Sequence, residues 1–232
     1  MTIFRLKQLA STSFHAAADA MHWNYDRAEL IADGVVHIVG VCLGLVAATA
    51  LIVLTAVYAS ALEIAVVSIY VAGLLAMLTL SAMYNLWPVS RAKWVLRRFD
   101  HSAIYLLIAA TYTPFIVQLK ESYLAIALLA GVWCVAMAGV ALKLARPGRY
   151  DRLAVGLYLA LGWSGVMLYQ PVVKALPGLA LGFVVAGGVL YSLGVIFHAW
   201  QRLRFQNAIW HGFVLLGAAC HYTAILDLIV LT

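Results

Sequence analysis

Apolar stretches of about 20 residues, the length that crosses a hydrocarbon layer as a helix, recur along the chain between short polar breaks. They predict spans near 35–58, 63–86, 101–119, 122–142, 153–173, 178–199 and 208–231, seven helices in all. Pro88 with Ser90, Lys120-Glu121, Arg146-Pro147-Gly148, and Lys174 with Pro177-Gly178 punctuate them. The apolar runs are continuous rather than alternating, which excludes a transmembrane β-barrel, and no internal repeat points to an inverted-repeat transporter. The expected fold is an all-α integral membrane protein, with residues 1–29 as an N-terminal segment and 30–232 as a seven-helix transmembrane domain.

Composition agrees. Apolar and aromatic residues make up 66% of the chain and charged residues 10%, against about 25% charged in a soluble domain. Too few charges exist to cover a water-facing surface, which excludes an ordinary cytosolic enzyme, a disordered regulator and a secreted disulfide-rich module. Cys42, Cys134 and Cys220 lie far apart inside apolar runs with no metal-type spacing, so they read as packing residues. Arg5, Lys7, Asp19, Asp26 and Arg27 break up the N-terminal stretch, which does not read as a cleavable signal peptide. Phe4, Leu6, Leu9 and Phe14 suit either a short interfacial helix or a loose tail.

The net charge of +6 reads as a topology signal. Arg5, Lys7, Arg27, Arg91, Lys93, Arg97, Arg98, Lys143, Arg146, Arg149, Arg152, Arg202 and Arg204 all fall on one side of the predicted spans, and only Lys120 and Lys174 fall on the other. The positive-inside rule then places the N-terminus in the cytoplasm and the C-terminus outside. Nucleic acid is not an expected partner; membrane lipids are, and no soluble protein partner is identifiable. This orientation is opposite to that of a G-protein-coupled receptor, and residues 208–231 contain no lysine for a retinal Schiff base.

Polar groups at membrane depth are costly and mark cavities or partners. Glu29, Asp33 and His37 are spaced i, i+4, i+8 on one helical face. Ser81 and Asn85 form an i, i+4 pair at the end of the second span, Asp100-His101-Ser102 opens the third, and Asn207 with His211 opens the seventh. All lie toward the cytoplasmic ends, which predicts one inward-facing polar pocket. Each has a plainer reading. Glu29, and also Asp33, suits a helix N-terminal cap; His37 or His101 suits a hydrogen-bonded packing role; Ser81 suits a bond back to its own helix. His198 fits either the same layer or an interfacial anchor beside Trp200. His221 and Asp227 lie about 15 Å or more beyond His211 along the helix, outside the predicted site.

Three stretches resemble the haemolysin III group of bacterial membrane proteins, within the progestin and adipoQ receptor superfamily. They are Glu29 to His37, an E-x-x-x-N-x-x-x-H pattern with Asp33 at the Asn position; Ser81 to Asn85 with Arg97 to Phe115; and Asn207 to His221. The resemblance implies seven helices with a cytoplasmic N-terminus, in a bacterial inner membrane. It also implies a zinc ion held by three histidines, one from an S-x-x-x-H motif and two from H-x-x-x-H. Here those positions are Asn85, Asn207 and His211. An amide oxygen is a weak zinc ligand beside imidazole, so no family-type zinc is expected. Two alternatives stand: a metal-free hydrogen-bonded layer of Asn85, Asn207, His211 and Ser81, or a rebuilt ligand set drawn from Asp33, His37, Asp100, His101 and His211.

The resemblance supports a sensor or regulator of membrane lipid homeostasis as the preferred function. The runner-up is a metal-dependent hydrolase of lipid amides or esters, with Asp100 as acid/base, Ser81 as a stabilising donor and His211 as a metal ligand. A pore-forming haemolysin is the weakest reading, because little beyond His221 and Asp227 lines the outer halves of the spans.

Overall fold

The computed structural model describes residues 25–119, 123–145 and 150–231; the predicted interfacial segment and the breaks at Lys120-Glu121 and Arg146-Pro147-Gly148 lie outside them. The helices are α1 (Arg27–Tyr58), α2 (Ala61–Leu86), α3 (Arg91–Val117), α4 (Tyr123–Ala145), α5 (Asp151–Trp163), α6 (Tyr169–Ala175), α7 (Gly178–Ala199) and α8 (Gln206–Leu226). A 3₁₀ segment, Ser164–Leu168, joins α5 to α6, and a π-helical turn, Asp227–Leu231, extends α8. Among the described residues there is no strand. Six segments are long and apolar enough to cross a membrane: Arg27–Tyr58, Ala61–Leu86, Tyr123–Ala145, Leu153–Ala175, Gly178–Ala199 and Gln206–Leu231.

The long helix missing from that group is α3. It carries Arg91, Lys93, Arg97, Arg98 and Asp100 in its first ten residues, and Thr111, Thr113 and Pro114 later. Its position explains why this is tolerated. It touches α2, α4, α5 and α8, and buries Lys93, Asp100, Ser102, Thr111 and Thr113 along with its apolar residues. A helix wrapped by protein does not have to be apolar all round. The outer helices do, and Val46, Val57, Leu124 and Met167 face outward. α1 packs on α2 and α8, α2 on α3, α3 on α4, and α7 on α8, so the first and last long helices meet. Small residues set the closest approaches: a Cβ added at Gly73 would stand 2.6 Å from that of Ala110.

Two helices begin earlier than apolarity alone predicts. α1 starts at Arg27 rather than near 35, because Asp26 and Glu29 form a reciprocal capping box on its first turn. α3 starts at Arg91 rather than near 101, with Ser90 accepting from the Lys93 amide. At the other end of the preceding link, the Lys93 ammonium donates to the carbonyls of Tyr84, Asn85 and Trp87 at 2.9, 3.1 and 2.9 Å. One buried lysine thus satisfies carbonyls that α2 leaves open at its C-terminus.

The stretch predicted as one span near 153–173 is instead broken at Ser164–Leu168. Gly162 and Gly165 weaken the helix there, and Pro171 withholds an N–H from its continuation. The freed backbone groups are met by Tyr112 of α3, whose hydroxyl donates to the Gly162 carbonyl and accepts from the Gly165 N–H, each at 2.7 Å. An irregular segment in a membrane protein needs such partners. Tyr112→Phe removes both bonds with little change of volume, so it should cost on the order of 1–3 kcal/mol, read as a lower thermal midpoint in detergent.

Candidate functional site

Three of the predicted residues meet at the junction of α1 and α8. Asp33 and His37 lie one turn apart on α1 and are both buried. His211, in the second turn of α8, places Nδ1 2.6 Å from Asp33 Oδ1. The His37 and His211 rings stand edge to face, with centroids 4.3 Å apart. His37 Nδ1 lies 2.8 Å from the Asp33 main-chain carbonyl, which can only accept, so Nδ1 carries the proton and Nε2 presents a lone pair. Ser81 Oγ and Asn85 Nδ2 approach that Nε2 at 3.3 and 3.4 Å. Asn85 also donates to the Ser81 carbonyl at 3.0 Å.

Asp100 completes this layer from α3, near both the Ser81 hydroxyl and His211. His101, the next residue, does not join it. Consecutive helical residues point in different directions, and the His101 ring turns toward Asp151, at 3.9 Å, and toward Tyr84. It therefore stands apart from the cluster of Asp33, His37 and His211, the one group of three metal-ligand side chains among the described residues.

Glu29 performs the capping role anticipated for it. One oxygen accepts from the Asp26 amide at 2.9 Å and the other from the Phe205 amide at 3.1 Å. Phe205 holds φ at 60°, a left-handed conformation unfavourable for a bulky residue, and Glu29 fastens it there. Asp33, one turn further in, is not a cap. A cleft at this end is lined by Tyr25, Leu30, Asp33, Tyr84, Asn85, Lys93 and Asn207, and a second one that shares Tyr25, Leu30, Asp33 and Asn207 adds Glu29, Phe205 and Ala208. Asn207 bonds to Tyr25, so the anticipated layer of Asn85, Asn207, His211 and Ser81 is divided among different partners. Burial, with the charges of Asp33 and Glu29 nearby, pushes the Tyr25 phenol up to about 12, which keeps it a neutral hydrogen-bonding group.

Tyr25, Tyr84, Lys93 and Phe205 were not singled out from the sequence. Lys93 carries a sequence signal, a lysine two turns before Asp100, but a charge count places it among the orientation charges. His198 packs on Trp210, with ring centroids 5.0 Å apart. His221 bonds the Val184 carbonyl at 3.2 Å and packs on Tyr191, as a residue of the α7–α8 contact.

A second polar knot ties α3, α4 and α5. Asp151 pairs with Arg97 and Lys143 at 2.5 and 2.6 Å, and Tyr158 donates to the His101 carbonyl at 2.9 Å. Lys143 is almost fully buried.

A bundle of long apolar helices with an acidic and imidazole cluster inside it defines a polytopic integral membrane protein with an intramembrane polar site. The comparisons narrow that class. The haemolysin-III related family matches residues 28–222, and the chain belongs to that family. It is 36% identical to a hemolysin-3 homolog of Bacillus subtilis (strain 168) over 198 residues, covering 85% of this chain and 93% of the relative. It is 32% identical to hemolysin-3 of Bacillus cereus, covering 85% and 90%. The human monocyte to macrophage differentiation factor is 30% identical over 163 residues, 68% of this chain and 67% of that protein.

The zinc that the family resemblance implies does not fit its usual positions here. Asn85 presents its amide nitrogen to Ser81 and His37, Asn207 is engaged with Tyr25, and only His211 offers imidazole.

Asp151 stands just outside the apolar segment Leu153–Ala175. Burial pushes its carboxyl up, but Lys143 and Arg97 outweigh that and hold it below the ordinary value of 3.8. A carboxylate with a lowered folded-state value adds stability above the unfolded value and loses it as pH falls through the folded one. The thermal midpoint should therefore drop on acidification below about pH 3.8. Asp151→Asn should flatten that limb and lower the midpoint at neutral pH.

Proposed function

We propose that this protein is a seven-span protein of a bacterial plasma membrane, with its N-terminus in the cytoplasm, that senses or regulates the lipid state of that membrane. α3 is the seventh span, its polar content accommodated by its central position. The observation that carries the functional reading is the form of the cleft. It is lined by Asp33 and Asn85 together with Leu30, Tyr25 and Tyr84, so buried polar groups and apolar and aromatic side chains share one opening. That combination suits the junction of a polar headgroup and an acyl chain. It works as a binding site without the family's three-histidine zinc, so catalysis is not required for a conformational response.

A lipid amide or ester hydrolase is the second reading, favoured by the hydrogen bond between Ser81 and Asp100, which lies within the electrostatic reach of His211. A lytic role has less support, because the site's polar groups gather at one end of the bundle. Deleting the gene in its host should change fatty-acid saturation and membrane order, measured by lipid analysis and fluorescence anisotropy. Wild type should restore both and Asp33→Ala should not. Purified protein should turn over no ceramide-like or ester lipid. An unchanged membrane in the deletion strain overturns the regulatory reading, and turnover abolished by Asp100→Asn establishes the hydrolase instead.

A further inference from the structure

The cluster of Asp33, His37 and His211 has more than hydrogen-bonding capacity. One ligand-type atom from each residue lies within 4.8 Å of the other two, and Asp33 and His37 are each 6% exposed. The three come from two helices packed together, and the i, i+4 spacing of Asp33 and His37 fixes one edge of the group. Two imidazoles and one carboxylate are a ligand set suited to divalent zinc and related first-row metals with open coordination positions.

The surroundings suit this use. The bond from His37 Nδ1 to the Asp33 carbonyl orients the ring and leaves Nε2 as the donor atom, the arrangement that outer partners give to metal-bound histidines. Ser81 and Asn85, now at that Nε2, are uncharged and can yield it without stranding a buried charge. The Lys93 ammonium donates to the carbonyls of Tyr84, Asn85 and Trp87, while Asp100 stands within electrostatic reach of His211. Asp33 lines the cleft itself, which supplies an entry path for an ion.

We propose that Asp33, His37 and His211 form a divalent transition-metal site of the zinc class, built between α1 and α8. It shares only His211 with the three-histidine arrangement that the family resemblance implies. The site lies at the same cleft as the lipid reading, but the two fail separately: the metal site is read from ion binding by purified protein, and the lipid reading from the deletion strain.

The test uses full-length protein in detergent, with no histidine tag and treated with chelator, titrated with Co²⁺ and then Zn²⁺. One equivalent of Co²⁺ should bind with visible d–d bands that Zn²⁺ abolishes. His37→Gln and His211→Gln, which keep side-chain size and hydrogen-bonding capacity, should each weaken binding by at least about 100-fold. Asp33→Asn should weaken it about 10- to 100-fold, and His198→Ala should leave it unchanged. A thermal melt of each metal-free variant separates loss of ligand from loss of fold. Absence of saturable Co²⁺ binding by folded wild type overturns the proposal. So does binding that survives both histidine substitutions, because the ion is then held elsewhere.

Discussion

A carboxylate inside a membrane-spanning bundle must be answered by the protein, since lipid offers it no hydrogen bonds. Asp33 is answered across the helix junction by His211 at 2.6 Å. Its backbone carbonyl in turn holds His37, and His37 meets Ser81 and Asn85 of α2. One acid on α1 thus organises a chain of polar contacts through α1, α2 and α8, to which Glu29 with Phe205 and Tyr222 with the Ala47 carbonyl add further ties between the first and last helices. Apolar packing between these helices contributes area, but it has no comparable directional preference. The carboxylate fixes which turn of α8 faces which turn of α1.

The same constraint explains where the basic residues went. Thirteen of the fifteen lysines and arginines fall on one side of the predicted spans, which is the basis of the expected orientation. Individually, several have other work. Lys93 closes the C-terminus of α2, and Lys143 and Arg97 neutralise Asp151 at the start of α5. A side chain that serves as a buried ion-pair or capping partner reads, in a charge count, the same as one that merely sits in the headgroup region.

The helical class and the family were legible because both rest on signals spread along the chain: apolar run length, and motifs from Glu29 to His221. Helix starts were less so. Apolarity locates the part of a helix that lies in lipid, whereas capping by Asp26 and Ser90 decides where the helix itself begins, and α1 and α3 begin well before their apolar stretches. The break in α5 had its local cause in view, in Gly162, Gly165 and Pro171, but its partner Tyr112 is 50 residues away from Gly162 and no local pattern reveals it. In the site, spacing put Asp33 and His37 on one helical face, and their common depth with Asn207 and His211 placed the two helices' polar groups in one layer. It gave no means of deciding between Asp100 and the adjacent His101, because helix rotation relative to the neighbours settles that choice.

The cleft draws its lining from α1, α2, α3 and α8, and the cluster of Asp33, His37 and His211 lies on the first and last of these, so the α1–α8 junction links the two. Glu29 holds the Phe205 amide at 3.1 Å one turn above the contact between Asp33 and His211. A separation of α1 from α8 at the rim would break the bond from the Phe205 amide to the Glu29 carboxylate, a bond to a charged group of about 1.5–3 kcal/mol, comparable with the strain of about 1–3 kcal/mol held at Phe205. The same movement would pull Asp33 away from His211 and leave a buried charge without its partner, a larger cost. Neither contact alone favours opening: Glu29 at one end and Asp33 one turn further in both tie α1 to the start of α8, so the geometry of the polar cluster and the register of the first and last long helices are fixed together.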